Sequence, residues 1–460
     1  MKNMTLQNIA KACNGTLVCE KGQEEILIKG AVLDSRLVEE GYLFFATKGE
    51  KVDGHSFIGQ VAEKKAACVV CEKAPENVKI PYILVEDSFN ALKKVAIYYR
   101  ENLAIPVIGI TGSVGKTSTK EFISSVLGVR YKVLKTEGNF NNEIGLPLTI
   151  LRIRDEHQVA VVEMGINHFG EMHRLSEIAK PDICVITNIG QCHLEFLGSR
   201  EGILKAKSEI FDFMNEEGYV CVNGDDDMLS TIQEVYGHKP VTYGISLKND
   251  VYVTDVKSNG ILGSKASIYL NDETFDVEIP LPGEHMVMNA LAATCVGDLL
   301  GLKAEEIAEG ISKVKAVGGR SNLIVLEDKM ILDDCYNANP VSMKAAIDLL
   351  NLSNTRKVAI LGDMFELGNG EKDMHRDIGT YAVDKGIDVL VCVGGLSNNM
   401  YQGALEKKAA LRKENLIYYM KDREEVIEKI DGILEKGDTI LVKASHGMGF
   451  AKVVEYLQEK

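Results

Sequence analysis

A short glycine-bracketed turn follows an apolar run near residue 110 and leads into a helix-like segment. Residues 111–120 read TGSVGKTSTK, directly after the apolar run at 105–110. Such a turn presents several backbone N–H groups and a helix N-terminus to one small volume, which suits a phosphate chain. Lys116 can reach the outer phosphates as a point charge, and the Thr117 hydroxyl is placed to bind the Mg²⁺ that accompanies them. The segment therefore predicts a strand–turn–helix unit that binds phosphates.

The spacing of this turn departs from the common P-loop pattern, G-x-x-x-x-G-K-[ST]. That pattern requires glycine at position 110, where the chain has Ile110, and Gly112 instead gives the shorter spacing G-x-x-G-K-T. The strand–loop–helix context still favours phosphate binding over a plain glycine turn. The residues of this turn that we expect to bind ATP are Gly112, Ser113, Val114, Gly115, Lys116, Thr117 and Ser118.

The composition excludes several classes of partner. The net charge is −15 and the chain has no long basic run, so we expect no nucleic-acid partner. No window approaches the roughly 20 apolar residues that a membrane helix needs, so we expect no membrane insertion. The N-terminal residues lack a basic-then-apolar signal pattern, and the cysteines lie mostly in apolar segments. These features predict a cytoplasmic protein whose cysteines serve as small apolar side chains.

The pattern of the chain divides it into three blocks, which we place at residues 1–101, 102–317 and 318–460. A chain of 460 residues is too long for a single core. Apolar strands alternate with helical segments, and a β-rich insertion follows at 239–279, which predicts an α/β fold with mostly parallel sheets. The first block is a small α/β domain, the second a P-loop-type domain. The third is Rossmann-like but lacks a G-x-G-x-x-G fingerprint, so we expect no dinucleotide there.

Polar residues stand at the carboxyl ends of the strands in the middle block, where parallel α/β sheets bind ligands. Glu163 ends the strand VAVVEM, and its carboxylate can hold Mg²⁺ or simply cap the following turn. His193 follows the strand CVITNIG and can serve as a metal ligand or as a hydrogen-bonding loop residue. Lys207 lies on the next helix, where the residue pattern alone gives it no role beyond solvation.

A loop rich in asparagine lies at residues 138–147, before a strand-like Thr-Ile-Leu at 149–151. Its asparagines, Asn139, Asn141 and Asn142, offer a density of donors and acceptors that fits a substrate-binding surface. The same residues also suit a self-capped turn, because asparagine bonds its own backbone readily. The sequence leaves both interpretations open.

Several segments together resemble the Mur ligases, the ATP-dependent amide ligases of peptidoglycan precursor synthesis. The resemblance covers essentially the whole chain and rests on TGSVGKTSTK, GNFNNEIGLPLT, VVEMGINHFGEM, TNIGQCHLEFLGS, AKSEIF, PGEHMVMNALAA, GGR, DDCYNANPVSM and LGDMFELG. YNANP and LGDMFELG favour the members that join D-alanyl-D-alanine to UDP-N-acetylmuramoyl-tripeptide through an acyl phosphate. The resemblance therefore implies small-molecule substrates, with ATP and Mg²⁺ as cofactors, and we expect a monomer.

The resemblance also implies that each of the three domains binds a different substrate. The first block would hold the UDP-muramyl group, the second ATP, and the third the incoming amine. The segments DSR and LFFATKGEKVDGHSF resemble the family's uridine-binding elements, which makes Ser35, Arg36, Lys48 and Gly49 the candidates there. Asn337 and Asn339, in YNANP, would help to define either the dipeptide pocket or the nucleotide pocket. The resemblance does not decide between these two pockets.

The family motifs assign further roles by position. Lys207 matches a lysine that the family often carries as a carbamate, which would add an oxygen ligand for a second Mg²⁺. His285 and Asn289 match the nucleotide motif, with Asn289 towards adenine, while Arg320 would reach the γ-phosphate and Asp334 the ribose. The implied metal ligands are Thr117, Glu163, His193 and carbamylated Lys207, and the implied catalytic residues are Lys116, His193, Lys207 and Arg320.

Two positions depart from the family pattern. The C-terminal run Lys-Ala-Ser-His-Gly-Met places His446 where the family usually has arginine. Histidine is mostly neutral at pH 7 and lacks the planar guanidinium fork, so the family's role for that position does not transfer. Met286 stands where the family often has asparagine, and this difference does not affect the roles assigned to the other site residues.

Two alternatives compete with this interpretation. A folylpolyglutamate-type ligase or an earlier Mur ligase would share the architecture, and the first block and YNANP argue against both. A P-loop switch or motor would hydrolyse a nucleotide without a second substrate. It would need neither Lys207 nor a third domain that supplies Arg320 and Asp334.

Overall fold

The computed structural model describes residues 1–49, 52–76 and 78–460, and in these residues the chain forms three β-sheets. Helices cover each sheet, and most neighbouring strands are parallel. The predicted α/β class with three sheet-containing regions is therefore confirmed. The described part of the chain contains no helix whose length and hydropathy would let it span a bilayer.

The first region is a five-stranded sheet with the order β1-β5-β4-β3-β2. Only β1 is antiparallel to its neighbour. Its elements are α1 (Leu6–Ala12), β1 (Thr16–Val18), β2 (Gly30–Val32), β3 (Tyr42–Phe45), α2 (Ile58–Glu63), β4 (Cys68–Cys71), β5 (Tyr82–Leu84) and α3 (Ser88–Glu101).

The middle region is a nine-stranded sheet in which β6 lies between β9 and β8. Its elements are β6 (Val107–Thr111), α4 (Lys116–Leu127), β7 (Val133–Lys135), α5 (Gly145–Ile150), β8 (Val159–Glu163), α6 (Glu171–Ala179), β9 (Ile183–Ile186), α7 (Leu194–Leu197), α8 (Arg200–Ser208), β10 (Tyr219–Asn223), β11 (Val241–Gly244), β12 (Val251–Ser258), β13 (Ser264–Leu270), β14 (Glu273–Ile279), α9 (Glu284–Leu299) and α10 (Ala304–Ser312). The predicted β-rich stretch forms β11 to β14, and it extends the same sheet, with antiparallel pairing from β12 onward.

The third region is a six-stranded sheet with the order β15-β16-β20-β17-β18-β19. Its elements are β15 (Asn322–Val325), β16 (Met330–Asp333), α11 (Pro340–Leu350), β17 (Lys357–Gly362), α12 (Glu371–Asp384), β18 (Val389–Val393), α13 (Ser397–Leu411), β19 (Leu416–Met420), α14 (Arg423–Lys429), β20 (Thr439–Lys443) and α15 (Ala451–Glu459). The last strand, β20, inserts between β16 and β17 and brings the ends of these three strands together.

The first and middle regions share a hydrophobic core, whereas the third has cores of its own. One cluster of buried side chains runs from Leu6 and Tyr99 of the first region to Val162 and Ile186 of the middle region. The Tyr99 hydroxyl donates to the Ile153 carbonyl at 2.6 Å across that junction. Two other clusters consist of residues 331 onward. The first two regions therefore pack as one body to which the third region is attached.

One predicted element is wrong. Residues 149–151, expected to begin a strand, belong to helix α5 or end it. The side chain of Asn142 accepts hydrogen bonds from the N–H groups of Ile144 and Gly145, which satisfies donors at the start of that helix. Residues 149–151 are thus helical despite the strand tendency of the β-branched Thr149 and Ile150.

Helix α11 begins with an asparagine cap followed by proline, and the cysteines lie unpaired in the described residues. Asn339 caps α11, its side chain accepting from the Ser342 N–H at 2.9 Å, and Pro340 occupies the first helical position. Cys68 and Cys71 lie buried in β4, and all ten cysteines, each in the described part of the chain, are free.

Candidate active site

A cavity of about 820 Å³ lies between the carboxyl ends of the middle strands and the third region. Its lining includes many of the residues singled out from the sequence: Ser113, Val114, Gly115, Lys116, Ser118, Asn141, Asn142, Glu163, His193, Asn289, Arg320, Asp334, Asn337 and Asn339. The described residues that line the cavity do not include Gly112, Thr117, Lys207 or Asn139. They also do not include the first-region candidates Ser35, Arg36, Lys48 and Gly49. The structure thus brings predicted site residues of the middle and third blocks to one cavity, which Phe89 and Lys93 of the first block also line.

The glycine turn adopts a backbone that other residues would strain. Gly112 has φ +147° and Gly115 has φ +85°, both in the left-handed region. A Cβ added at Gly112 would lie 1.9 Å from Thr187 Oγ1, so position 112 has no room for a side chain. Helix α4 begins directly after Gly115, and the Lys116 ammonium donates to the Gly112 carbonyl at 2.9 Å. Burial lowers the pKa of Lys116, an effect that nearby Glu163 opposes.

Gly112→Ala is expected to cost about 1–3 kcal/mol of folding free energy and to weaken ATP binding. The new Cβ would displace the Thr187 hydroxyl, which now donates to the Val114 carbonyl at 2.6 Å and holds the turn. Urea unfolding and calorimetric ATP titration would measure the two effects. Gly386→Ala is the matched control, because Gly386 also has φ +75° but open space around it. Equal ATP affinity in the two variants would contradict the prediction.

Asn188 clamps the glycine turn, a role that the sequence analysis missed. Its side chain accepts from the Val114 N–H at 3.0 Å and donates to the Val114 carbonyl at 2.9 Å. Its backbone carbonyl accepts from the Ser113 N–H at 3.0 Å. The signal was present in the sequence, since Asn188 lies in the segment CVITNIG, two residues beyond the end of β9 and at the predicted ligand-binding edge.

Thr117 and Glu163 meet at the adjoining ends of α4 and β8. The Thr117 hydroxyl donates to Glu163 Oε2 at 2.8 Å, and the Asn141 amide donates to Oε1 at 2.9 Å. Both Thr117 and Glu163 are buried. Two asparagines of the loop at residues 138–147 behave differently. Asn142 bonds the backbone of its own turn, as the self-capped interpretation predicts, whereas Asn141 bonds Glu163 on the neighbouring strand β8. The exposed Asn139 uses its carbonyl to accept from the Asn141 N–H at 2.7 Å.

His193 immediately precedes α7, and Lys207 lies near the end of α8. His193 Nδ1 lies 2.7 Å from Glu366 Oε2 of the third region, and this hydrogen bond lowers the pKa of Glu366. Lys207 on α8 is buried rather than solvated, with only 1 % of its surface exposed. Burial lowers the pKa of Lys207 to about 8, Cys192 opposes this shift, and Lys116 adds to it.

The predicted nucleotide motif lies at the start of α9. The Asn289 carbonyl oxygen accepts from the Thr119 hydroxyl at 2.9 Å, and its amide donates to the Met286 sulfur at 3.4 Å. Burial lowers the pKa of His285, an effect that the Asp334 carboxylate opposes, and both residues line the cavity. Met286, at a position where asparagine was expected, thus takes part in holding Asn289.

Arg320 lies in a linker that is tied to the third region. Asp333 accepts from the Gly319 N–H at 2.7 Å, and Asp334 accepts from the Ser321 N–H at 2.9 Å. The Arg320 guanidinium stacks over the Tyr336 ring at 4.0 Å. Arg320 is therefore fixed to the third region while it lines a cavity shared with the middle region.

Lys443 is a second site residue that the sequence analysis missed. It ends β20 and its ammonium, 2.5 Å from Asp334 Oδ2, also donates to the Asn337 carbonyl at 3.0 Å. Only the insertion of β20 beside β16 places it there. The exposed His446 follows it and lies 5.4 Å from the Tyr336 ring, on which Arg320 also stacks.

The first-region candidates form a separate group. The Lys64 ammonium donates to the carbonyls of Ser35 and Arg36 at 2.9 Å each, and the Arg36 guanidinium pairs with Asp34 at 2.6 Å. The Gly49 N–H donates to the Val52 carbonyl at 2.9 Å, and the backbones of Lys48 and Asp53 pair in an isolated antiparallel β-bridge. Residues 50 and 51 of the segment LFFATKGEKVDGHSF lie outside the described residues.

Comparison with known families gives three matches along the chain. Residues 27–112 match the Mur ligase family catalytic domain. Residues 110–297 match the Mur ligase middle domain, and residues 319–446 match the Mur ligase glutamate ligase domain. Together these matches include the glycine turn, the strand ends of the middle sheet and the third-region wall of the cavity.

Individual relatives are similar over nearly their whole length. The chain is 40% identical to the UDP-N-acetylmuramoyl-tripeptide–D-alanyl-D-alanine ligase of Bacillus subtilis, covering 100% of this chain and 99% of that one. Among solved structures, MurF from Acinetobacter baumannii superposes with a TM-score of 0.89 at 33% identity over 99% of each chain. MurF from Thermotoga maritima in complex with ADP gives a TM-score of 0.81 at 30% identity, covering 95% of this chain and 98% of that one.

Proposed function

The chain belongs to the Mur ligase family, and we propose that it is the ATP-dependent ligase that joins D-alanyl-D-alanine to UDP-N-acetylmuramoyl-tripeptide. The similarity to enzymes named for this reaction extends over the full chain. The observation that carries the proposal is the shared cavity, in which the phosphate turn of the middle region faces Arg320 and the asparagines of the third region. The product serves peptidoglycan precursor synthesis.

The reaction requires activation of a carboxylate. The terminal carboxylate of the tripeptide attacks the γ-phosphorus of ATP, which gives an acyl phosphate and ADP. The amine of D-alanyl-D-alanine then attacks the activated carbonyl carbon, the amide bond forms, and phosphate leaves with the loss of a proton from nitrogen. Lys116 and Arg320 both line the cavity and supply positive charge as the phosphoryl group transfers.

The residues at the end of β8 fit the Mg²⁺ that accompanies ATP. The 2.8 Å between Thr117 Oγ1 and Glu163 Oε2 is close to the roughly 2.9 Å that separates adjacent ligands of an octahedral Mg²⁺. Among residues 1–49, 52–76 and 78–460, no group of three or more His, Cys, Asp and Glu side chains could hold a metal. The donor set that we propose instead combines Thr117, Glu163, His193 and carbamylated Lys207. Mg²⁺ would offset the repulsion between the attacking carboxylate and the phosphates.

The domain assignments remain part of this proposal. We assign UDP-muramyl binding to residues 1–101, ATP binding to 102–317 and dipeptide binding to 318–460. Within them, Ser35, Arg36, Lys48 and Gly49 contact the uridine group. Asn289 and Asp334 contact the nucleotide, although both oxygens of Asp334 already accept hydrogen bonds. The protein acts as a monomer in the cytoplasm, where its nucleotide-linked substrate is made.

The direct test is ADP release by the purified full chain with each substrate added alone and together. We expect release only when UDP-N-acetylmuramoyl-tripeptide and D-alanyl-D-alanine are both present. Release with neither substrate would instead indicate a nucleotide-hydrolysing switch. Release with a single amino acid in place of the dipeptide would indicate another amide ligase of this architecture. Tripeptides ending in lysine and in diaminopimelate, tested in parallel, would show which one the chain uses.

A further inference from the structure

One hydrogen bond joins the middle and third regions at the edge of the cavity. His193 Nδ1 and Glu366 Oε2 are 2.7 Å apart, although the two residues lie 173 positions apart in the chain. Both side chains line the cavity. The helix α7 that His193 begins also touches the third region, because a Cβ placed on Gly368 would lie 3.6 Å from the Glu195 Cα. The bond therefore lies in a packed junction between the two regions.

The backbone that carries Glu366 is strained and anchored on its N-terminal side. Glu366 has φ +61°, a left-handed conformation that costs a residue with a side chain free energy. The Met364 N–H donates to His375 Nε2 at 2.9 Å, and the Phe365 N–H donates to the Ser445 hydroxyl at 2.9 Å. These bonds hold the segment in place. A strained residue held by its neighbours is typical of a position that serves the site.

The same strain occurs on the partner side. His193 has φ +52° and sits immediately before α7, so both ends of the bond are left-handed residues that are not glycine. A carboxylate can only accept a hydrogen bond, so the hydrogen lies on His193 Nδ1. This arrangement selects one tautomer of the neutral ring and leaves the Nε2 lone pair available to a ligand.

We propose that Glu366 is a positioning residue that fixes the ring and tautomer of His193, so that cation binding in the middle region depends on docking of the third region. The inference rests on the proposed role of His193 as a metal ligand. It adds to that role a link between the two regions, since the ligand is oriented only when the third region contributes Glu366. Partners of metal-bound histidines commonly contribute 10–100-fold to metal affinity.

The test measures Mn²⁺ binding to the full chain in the presence of ADP, by the electron paramagnetic resonance signal of the free ion. Glu366→Ala is expected to weaken binding by about 10–100-fold, and Glu366→Gln, which keeps an acceptor oxygen, by less. Glu406→Ala is the matched control, because Glu406 is an exposed third-region carboxylate that pairs with Arg376 away from the cavity. Its Mn²⁺ affinity should equal that of the unaltered chain. Thermal unfolding of each variant checks that the fold is kept.

A double-variant cycle separates this inference from the proposed function. His193→Ala should weaken Mn²⁺ binding at least as much as Glu366→Ala, and the double variant should lose no more than His193→Ala alone. If His193→Ala leaves binding unchanged, the metal role of His193 fails. If His193→Ala weakens binding and Glu366→Ala does not, the positioning role of Glu366 is wrong.

The tautomer gives a readout that metal loading does not affect. Long-range ¹H–¹⁵N spectra of the metal-free chain, with the His193 signal identified by its loss in His193→Ala, report which ring nitrogen carries the hydrogen. We expect the Nδ1–H form in the unaltered chain and in Glu406→Ala, and a mixture of tautomers in Glu366→Ala. An unchanged tautomer in Glu366→Ala would overturn the proposal.

Discussion

Lys207→Ala is expected to lose on the order of 10³-fold in turnover and to regain part of it when short carboxylic acids are added. The loss follows from removal of a carbamate oxygen that would hold a metal ion beside the phosphates. An added carboxylic acid can occupy the vacated space and supply an oxygen in its place. Steady-state ADP release with and without formate, acetate or propionate would measure both effects.

The surroundings of Lys207 make its uncharged form more accessible than that of an exposed lysine. Burial lowers the pKa of Lys207 to about 8. The uncharged amine is the form that attacks CO₂, forming an N–C bond and releasing a proton. The fraction of Lys207 that carries the carbamate should therefore increase as the pH is raised towards 8 and decrease as the pH is lowered. A ¹³C spectrum recorded in labelled bicarbonate should show a carbamate signal that is missing in Lys207→Ala.

Lys205 supplies the matched control for this prediction. It lies on the same helix two residues away and is exposed, so Lys205→Ala should keep full turnover. Turnover of Lys207→Ala close to that of Lys205→Ala would rule out the carbamate. Loss of turnover without recovery at any carboxylic acid concentration would indicate that Lys207 acts as an amine.

The middle-region part of the site could be predicted because local patterns fix where strands and helices end. Apolar runs place Glu163 at the end of β8 and the glycine turn after β6, and these strands are parallel neighbours. Their carboxyl ends therefore adjoin, which brings Thr117 within 2.8 Å of Glu163. The family resemblance was needed for Lys207, whose burial no local pattern reveals, and for His285 and Asn289 on α9.

Contacts between distant segments could not be predicted in the same way. Asn188 bonds Val114 across 74 positions, and Lys443 pairs with Asp334 across 109. The second contact depends on the insertion of β20 between β16 and β17, a topology that strand propensity does not specify. Glu366 illustrates the same limit, since a glutamate in a loop carries no sign of a partner in another region.

Arg320→Ala is expected to lower kcat by about 10³-fold while ATP affinity changes by only a few fold. The Arg320 guanidinium stacks at 4.0 Å on Tyr336, and its flanking N–H groups are bonded to Asp333 and Asp334 of the third region. Arg320 is therefore held on the third-region side of the cavity that the glycine turn also lines, so we expect its charge to act mainly on the phosphoryl group as it transfers. Turnover assays and calorimetric ATP titration of the same preparations would separate the two quantities.

Two further variants define what Arg320 contributes. Arg320→Lys keeps the charge but loses the planar fork and the stacking on Tyr336, so its kcat should lie between those of the unaltered chain and Arg320→Ala. Arg376→Ala removes an exposed arginine of the third region that pairs with Glu406, and it should leave both quantities unchanged. If Arg320→Ala weakened ATP binding as much as it lowered kcat/KM, the guanidinium would bind the ground state and transition state equally. A selective loss of kcat instead means that the third region delivers a charge used when the phosphoryl group transfers.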